Sequence, residues 1–321
     1  MSQPVSVEKF AVGQSVRRLE DPRLLQGLGR YSDDVSLPRQ AYAVIVRSPH
    51  AHALIRGLDG SKAHKASGVL AVLTGADITA DGLGHLPTDP RRKRRDGSPA
   101  FTTPRPALAR ERVRHVGDPV ALVVAETREQ AAAAAPLVAV DYEALPAVAA
   151  TAEATRPGAP AVWDEAPDNV AFVWEAGNRA AVARAFEGAA HVTTLDFVVT
   201  RVTAAPLEPR AAVGEYDRRT GRYTLHTGVQ MPHGVRTLLA EQVFRVPQSH
   251  LRVVTGEVGG SFGMRSGVYP ELVLVLWAAK RLGRPVKWTS ERREGFVSDE
   301  HGRDNVSTAE LALDAHGTFL A

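Results

Sequence analysis

The feature that most constrains this chain is a glycine loop wedged between a strand and a helix: Val253-Val254-Thr255-Gly256-Glu257-Val258-Gly259-Gly260-Ser261-Phe262-Gly263-Met264-Arg265. A β-branched run feeds the loop. Behind it, Tyr269 to Arg281 sets Leu272, Val275, Leu276 and Ala279 at helical spacing. Lacking a Cβ, Gly259, Gly260 and Gly263 admit positive φ and let the backbone approach a ligand closely. The loop N–H groups and the start of the following helix are then donors for an oxyanion or a phosphate. The spacing gives neither a P-loop nor the paired-glycine dinucleotide fingerprint. Read alone, such a loop is more often a tight turn than a site.

Composition narrows the chemistry. The chain has no cysteine, which excludes disulfides, Cys-ligated zinc and iron–sulfur clusters within it. Any electron carrier serving it belongs elsewhere. A net charge of +3 over 321 residues gives no bulk argument for nucleic acid. No apolar run reaches the length of a membrane span. Met1 to Phe10 lacks a signal core, and Arg17-Arg18 is not followed by the apolar stretch of a twin-arginine signal. The expected location is therefore cytoplasmic, with no membrane partner.

In chain order, residues 1–20 read as a polar N-terminal arm. The first unit, 21–146, holds strands at Ala41 to Arg47, Leu54 to Leu58, Val69 to Leu73, Val120 to Ala125 and Val138 to Tyr142. Thr127-Arg128-Glu129-Gln130 is a capping box that opens an alanine-rich helix, and Pro136 should end it. Between Asp81 and Arg105 lies a loop with five cations, Arg91-Arg92-Lys93-Arg94-Arg95. With no aromatic residues interleaved for base stacking, this reads as a solvated tip or a patch for a partner subunit, not a nucleic-acid site.

Residues 147–169, rich in alanine and proline, read as a linker. The second unit, 170–321, should contain a strand at Val170 to Glu175 and a helix at Ala180 to Phe186. A strand His191 to Val199 follows, then a hairpin around Asp217-Arg218-Arg219-Thr220-Gly221 and a helix from Pro232 through Val243. Val306 to Leu313 should pair with a return strand from Thr318, leaving an exposed apolar edge. The fold class is α+β, or mixed α/β. His50 and His52 would share a face of a strand, but without a third ligand nearby no metal site is expected.

Several segments in one order carry a resemblance. Gly-Gln-Ser-Val-Arg-Arg-Leu-Glu-Asp-Pro (13–22), Gly-Arg-Tyr-Ser-Asp-Asp-Val (29–35), Arg-Ser-Pro-His-Ala-His-Ala (47–53), Gly-Val-Leu-Ala-Val-Leu-Thr-Gly-Ala-Asp (68–77) and Val-Gly-Asp-Pro-Val-Ala (116–121) resemble an α/β-hammerhead domain. Pro-Leu-Glu-Pro-Arg (206–210), Gln230, the glycine loop and Glu-Arg-Arg-Glu-Gly-Phe (291–296) resemble the first cofactor-binding domain of the molybdenum subunit in the xanthine dehydrogenase/aldehyde oxidase family. Nearly the whole chain is covered.

The resemblance implies oxidation of an aldehyde or hydroxylation of an N-heterocycle, with water as oxygen donor. The implied cofactor is molybdenum-molybdopterin, in the cytosine dinucleotide form of bacterial members, with an iron–sulfur subunit and an FAD subunit as partners. Gln230 would bond the metal's oxo group together with the backbone near Phe262. Gly259, Gly260, Ser261, Gly263 and Arg265 would help hold the cofactor. Arg303 would orient substrate, and Glu208 would lie by the pocket. Each has a plainer reading: a surface glutamine for Gln230, a solvated arginine for Arg303, a structural salt bridge for Glu208.

Two departures stand out. Ser266 replaces a substrate-recognising glutamate of purine-oxidising members, which disfavours xanthine. Met264-Arg265 replaces a small residue and lysine. Full-length family subunits also continue into a second cofactor domain carrying the general base. This sequence therefore reads as an N-terminal half that acts only with a complementary C-terminal half. A non-catalytic scaffold or a truncated relic of the family is the alternative.

Overall fold

A computed structural model of the chain describes residues 15–88 and 92–321. Most of the expected N-terminal arm (1–14) and Arg91 of the cationic run lie outside the described residues.

Among the described residues, the first half supplies six strands: β1 (Ala41–Arg47), β2 (Ala53–Asp59), β3 (Val69–Thr74), β4 (Arg112–Val113), β5 (Pro119–Ala125) and β6 (Ala139–Ala144). Its helices are α1 (Asp21–Leu25), α2 (Ser61–His64), α3 (Gly75–Ala80) and α4 (Arg128–Ala134). The capping box forms: Thr127 Oγ1 accepts from Gln130 N, and Gln130 Oε1 accepts from Thr127 N. After α4 the chain tightens into a 3₁₀ turn across Pro136, as a residue lacking an N–H requires.

The second half contains α5 (Thr151–Ala154), α6 (Arg179–Glu187), β7 (His191–Val199), β8 (Val202–Thr203), β9 (Ala211–Asp217), β10 (Arg222–Thr227), α7 (Pro232–Leu238), β11 (Leu251–Val254), α8 (Pro270–Leu282), β12 (Val286–Thr289), α9 (Arg292–Ser298), β13 (His301–Gly302) and β14 (Asn305–Leu313).

Strands of both halves enter one seven-stranded sheet, in the order β11-β10-β9-β12-β1-β5-β3. The join is β1 beside β12, parallel, with Ala41 opposite Val286. Helix α8 covers this sheet. Its residues from Glu271 to Ala279 are all buried, which fits a helix apolar on every side. It crosses β9 so closely that a Cβ at Gly214 would stand 2.5 Å from the Val275 carbonyl. Gly283, at φ 65°, ends the helix in the left-handed conformation.

Two expectations need correction. Val170 to Glu175 is not a strand. It runs beside the preceding loop through two separate bonds, Phe101 N to Ala171 O and Val173 N to Lys93 O, with no regular ladder. The main partner of Val306 to Leu313 is not the return from Thr318 but β7, antiparallel along the whole of β14. The return contributes only a short clasp, Leu320 N to Ala312 O and Ala312 N to Ala321 O. The stretch 147–169 is held against the first unit, with Trp163 under the Arg114 guanidinium at 3.5 Å and beside Phe101.

Candidate functional site: the glycine loop and Gln230

β10 and β11 are parallel neighbours, so the loops leaving their C-terminal ends emerge side by side. Ligands of α/β sheets collect at such ends. The β10 loop carries Gly228, Val229 and Gln230, and the β11 loop is the glycine loop. Thr255 Oγ1 donates to Thr227 O at 3.0 Å, and Gln230 N donates to Arg265 O at 3.1 Å, which ties the loops together.

Each glycine has its own reason. Gly260 (φ 111°) and Gly263 (φ 98°) are in positive-φ backbone, while a Cβ on Gly259 would collide with Glu208 Cβ. Phe262, also at positive φ (54°), leaves its ring 80% exposed. Among the described residues, no hydrogen bond uses the N–H of Gly260, Ser261, Phe262 or Gly263. Consecutive unused N–H groups on turned backbone make a cradle for an anion or an oxo group.

Beneath the loop, Glu208 and Arg265 form a buried pair, Oε2 to Nη1 3.0 Å. Arg265 is 1% exposed. Its Nη1 meets the carboxylate off the line of an N–H, and Nε has no partner among the described residues. Burial lowers the Arg265 pKa, with Arg210 acting in the same direction against Glu208. Both Glu208 oxygens are engaged: Oε1 accepts from Ser32 N at 3.3 Å, and Oε2 accepts from Gly259 N at 2.7 Å. Glu208 is thus a clamp on the loop, and Arg265 faces inward.

Gln230 Oε1 lies 2.6 Å from Ser261 Oγ and 3.0 Å from Ser266 Oγ. Its Nε2 donates to nothing among the described residues.

The structure therefore brings Gln230, Ser261, Glu208, Gly259, Gly260, Phe262, Gly263 and Arg265 together. Among the described residues, no side-chain hydrogen bond or ion pair joins Arg303 to them. Arg303, at φ 68° and followed by Asp304 at φ 61°, lines a separate cleft of about 1130 Å³ with His52, Arg105, Trp163 and Arg201. Much of that cleft's charge is already paired, as in Arg112–Asp164 and Arg201–Asp304. His52 Nδ1 meets Pro146 O at 2.9 Å, and the His50 ring packs tilted at 52° against Tyr142. No cluster of three or more His, Cys, Asp or Glu suited to a metal occurs among the described residues.

Sequence reasoning missed the ionic network next door. Buried Glu271 binds Arg210 (2.7 Å) and Arg47 (2.6 Å), while Arg47 also binds Glu294 and Arg210 also binds Asp299. A lone glutamate opening an otherwise apolar helix was the available signal.

The donor set of the loop, an oxygen-seeking array with no ligating side chain, fits a cofactor held by its oxo and phosphate oxygens. Two family profiles match the chain: the aldehyde oxidase and xanthine dehydrogenase a/b hammerhead domain over residues 26–146, and the molybdopterin cofactor-binding domain over residues 162–321. The chain belongs to the xanthine dehydrogenase/aldehyde oxidase family.

Within that family it is 37% identical to the nicotine 6-hydroxylase large subunit of Paenarthrobacter nicotinovorans, over 97% of this chain and 37% of that protein. It is 35% identical to the carbon monoxide dehydrogenase large chain of Afipia carboxidovorans, over 99% of this chain and 40% of that one. The crystal structure of a Cu,Mo-CO dehydrogenase superposes with a TM-score of 0.86 at 35% identity, over 96% of this chain and 39% of that chain. Quinoline 2-oxidoreductase from Pseudomonas putida 86 gives 0.85 at 36%, over 96% and 38%. The chain thus spans about two fifths of the length of these relatives. No helix among the described residues is long and apolar enough to cross a membrane.

Proposed function

We propose that this chain forms one wall of the molybdenum-cofactor site in a molybdenum hydroxylase large subunit, which oxidises an aldehyde or hydroxylates an N-heterocycle. The observation that carries the reading is the convergence of Gln230 and four loop N–H groups, unused among the described residues, at the ends of two parallel strands. When bound, the molybdopterin cofactor, in its cytosine dinucleotide form, supplies a metal that activates water and accepts two electrons.

The chain's own residues bind and orient. Gln230 donates a neutral hydrogen bond, which stabilises charge on an oxygen without changing the net charge of the site. The loop N–H groups hold further oxygens. Glu208 and Arg265 fix the loop from below. We assign Arg303, in its separate cleft, to the substrate side. The general base and the opposite wall come from a complementary C-terminal portion, so the chain alone is inactive. With no cysteine to ligate a cluster, electrons leave through an iron–sulfur subunit to an FAD subunit, in a cytoplasmic complex.

The test is Gln230→Ala in the assembled, molybdenum-loaded enzyme. Turnover per bound molybdenum should fall on the order of a hundredfold, the usual cost of one preorganised donor, while metal content holds. Unchanged turnover per metal overturns the assignment of Gln230. Stoichiometric molybdenum and turnover in the isolated chain would overturn the two-wall reading.

A further inference from the structure

We propose that Ser261 is the positioning residue that decides which edge of the Gln230 amide faces the ligand. The inference rests on the reading of Gln230 as a donor to the cofactor. Ser261 Oγ accepts the Arg265 N–H at 3.2 Å and lies 2.6 Å from Gln230 Oε1. In the contact with Gln230 the Ser261 hydroxyl is the donor, and only the amide's carbonyl oxygen can receive its proton. The separation agrees: 2.6 Å is short for N–H···O and ordinary for O–H···O.

Ser266 favours the opposite arrangement. Its Oγ is 2.8 Å from Gly263 O, which can only accept, so its proton is committed there. A hydroxyl with its proton spent is an acceptor, and at 3.0 Å it would hold the amide equally well by Nε2. The two serines thus compete for the orientation of one amide. The shorter Ser261 contact wins and leaves both Nε2 protons on the edge that makes no bond among the described residues. Without the Ser261 hydroxyl the amide turns over, Nε2 donates to Ser266, and the edge offered to the ligand changes from donor to acceptor.

The experiment uses the assembled, molybdenum-loaded enzyme. Ser261→Ala should keep molybdenum content and KM while lowering kcat on the order of a hundredfold. Ser261→Ala combined with Ser266→Ala leaves nothing to hold the turned amide and should regain roughly tenfold of that loss, a coupling that two independent sites would not give. Neutron diffraction of the deuterated Ser261→Ala enzyme should place the Gln230 amide deuterons toward Ser266. An amide that has not turned, or a double variant no better than the single one, overturns the inference. So does loss of molybdenum in step with turnover, since Ser261 would then act by holding the loop. If Gln230→Ala leaves turnover unchanged, it is the underlying reading of Gln230 that fails.

Discussion

At the scale of single residues, the site depends on what is missing from Gly259. Its N–H reaches Glu208 Oε2 at 2.7 Å, and its Cα sits where any Cβ would strike Glu208 Cβ. Gly259→Ala must therefore push apart the clamp and the loop it fixes. We expect the loaded enzyme to lose most of its molybdenum, measured as metal per chain, with folding little changed. Full metal content in that variant would show that the clamp does not shape the cradle. Gly260→Val, at φ 111°, adds backbone strain that a β-branched residue cannot relieve and should be at least as severe. The glycines were legible in the sequence because positive φ and close approach are properties of one residue. The Gln230–Ser261 contact was not, because it joins loops 31 residues apart whose adjacency depends on the β10–β11 pairing.

At the scale of elements, α8 carries the main electrostatic liability of the fold. Burial pushes the Glu271 carboxyl up, but Arg210 and Arg47 outweigh it and hold its pKa down to about 2. A carboxylate depressed in the folded state adds stability above its ordinary value near 4.5, and that contribution is lost as pH falls toward 2. Glu294 behaves oppositely: burial, with Glu271 adding to it against the Arg47 charge, raises its pKa. Glu271→Gln leaves two buried guanidinium groups short of a carboxylate and should cost on the order of 3 kcal/mol at neutral pH. Denaturant unfolding of both proteins should show that gap narrowing between about pH 4.5 and 2; a gap independent of pH would mean that the network contributes little. Periodicity gave the boundaries of α8 and the hairpin β9–β10 closely, because both are set by local pattern and turn chemistry. It misjudged Val170 to Glu175, an apolar run read as a strand. Its Phe172 and Trp174 are 47% and 68% exposed, so no second layer covers them.

At the scale of the whole molecule, the ribbon β7–β14 stands apart from the main sheet. Val192, Leu195, Val198 and Val306 on it are at least half exposed, more apolar surface than a two-stranded ribbon carries comfortably. The isolated chain should self-associate at micromolar concentration by light scattering, and Leu195→Lys with Val198→Lys should suppress this. A clean monomer in the unmodified chain would count against a partner surface on the ribbon. The parallel contact between β1 and β12 has a different consequence, one that concerns synthesis. β1 ends at Arg47 and β12 begins at Val286, so the neighbour of β1 is made 239 residues later (286 − 47). At ribosomal rates that is on the order of 10–50 s. For that interval the edge of β1 that β12 covers has no partner in the nascent chain, although β1, β5 and β3 can already pair with one another.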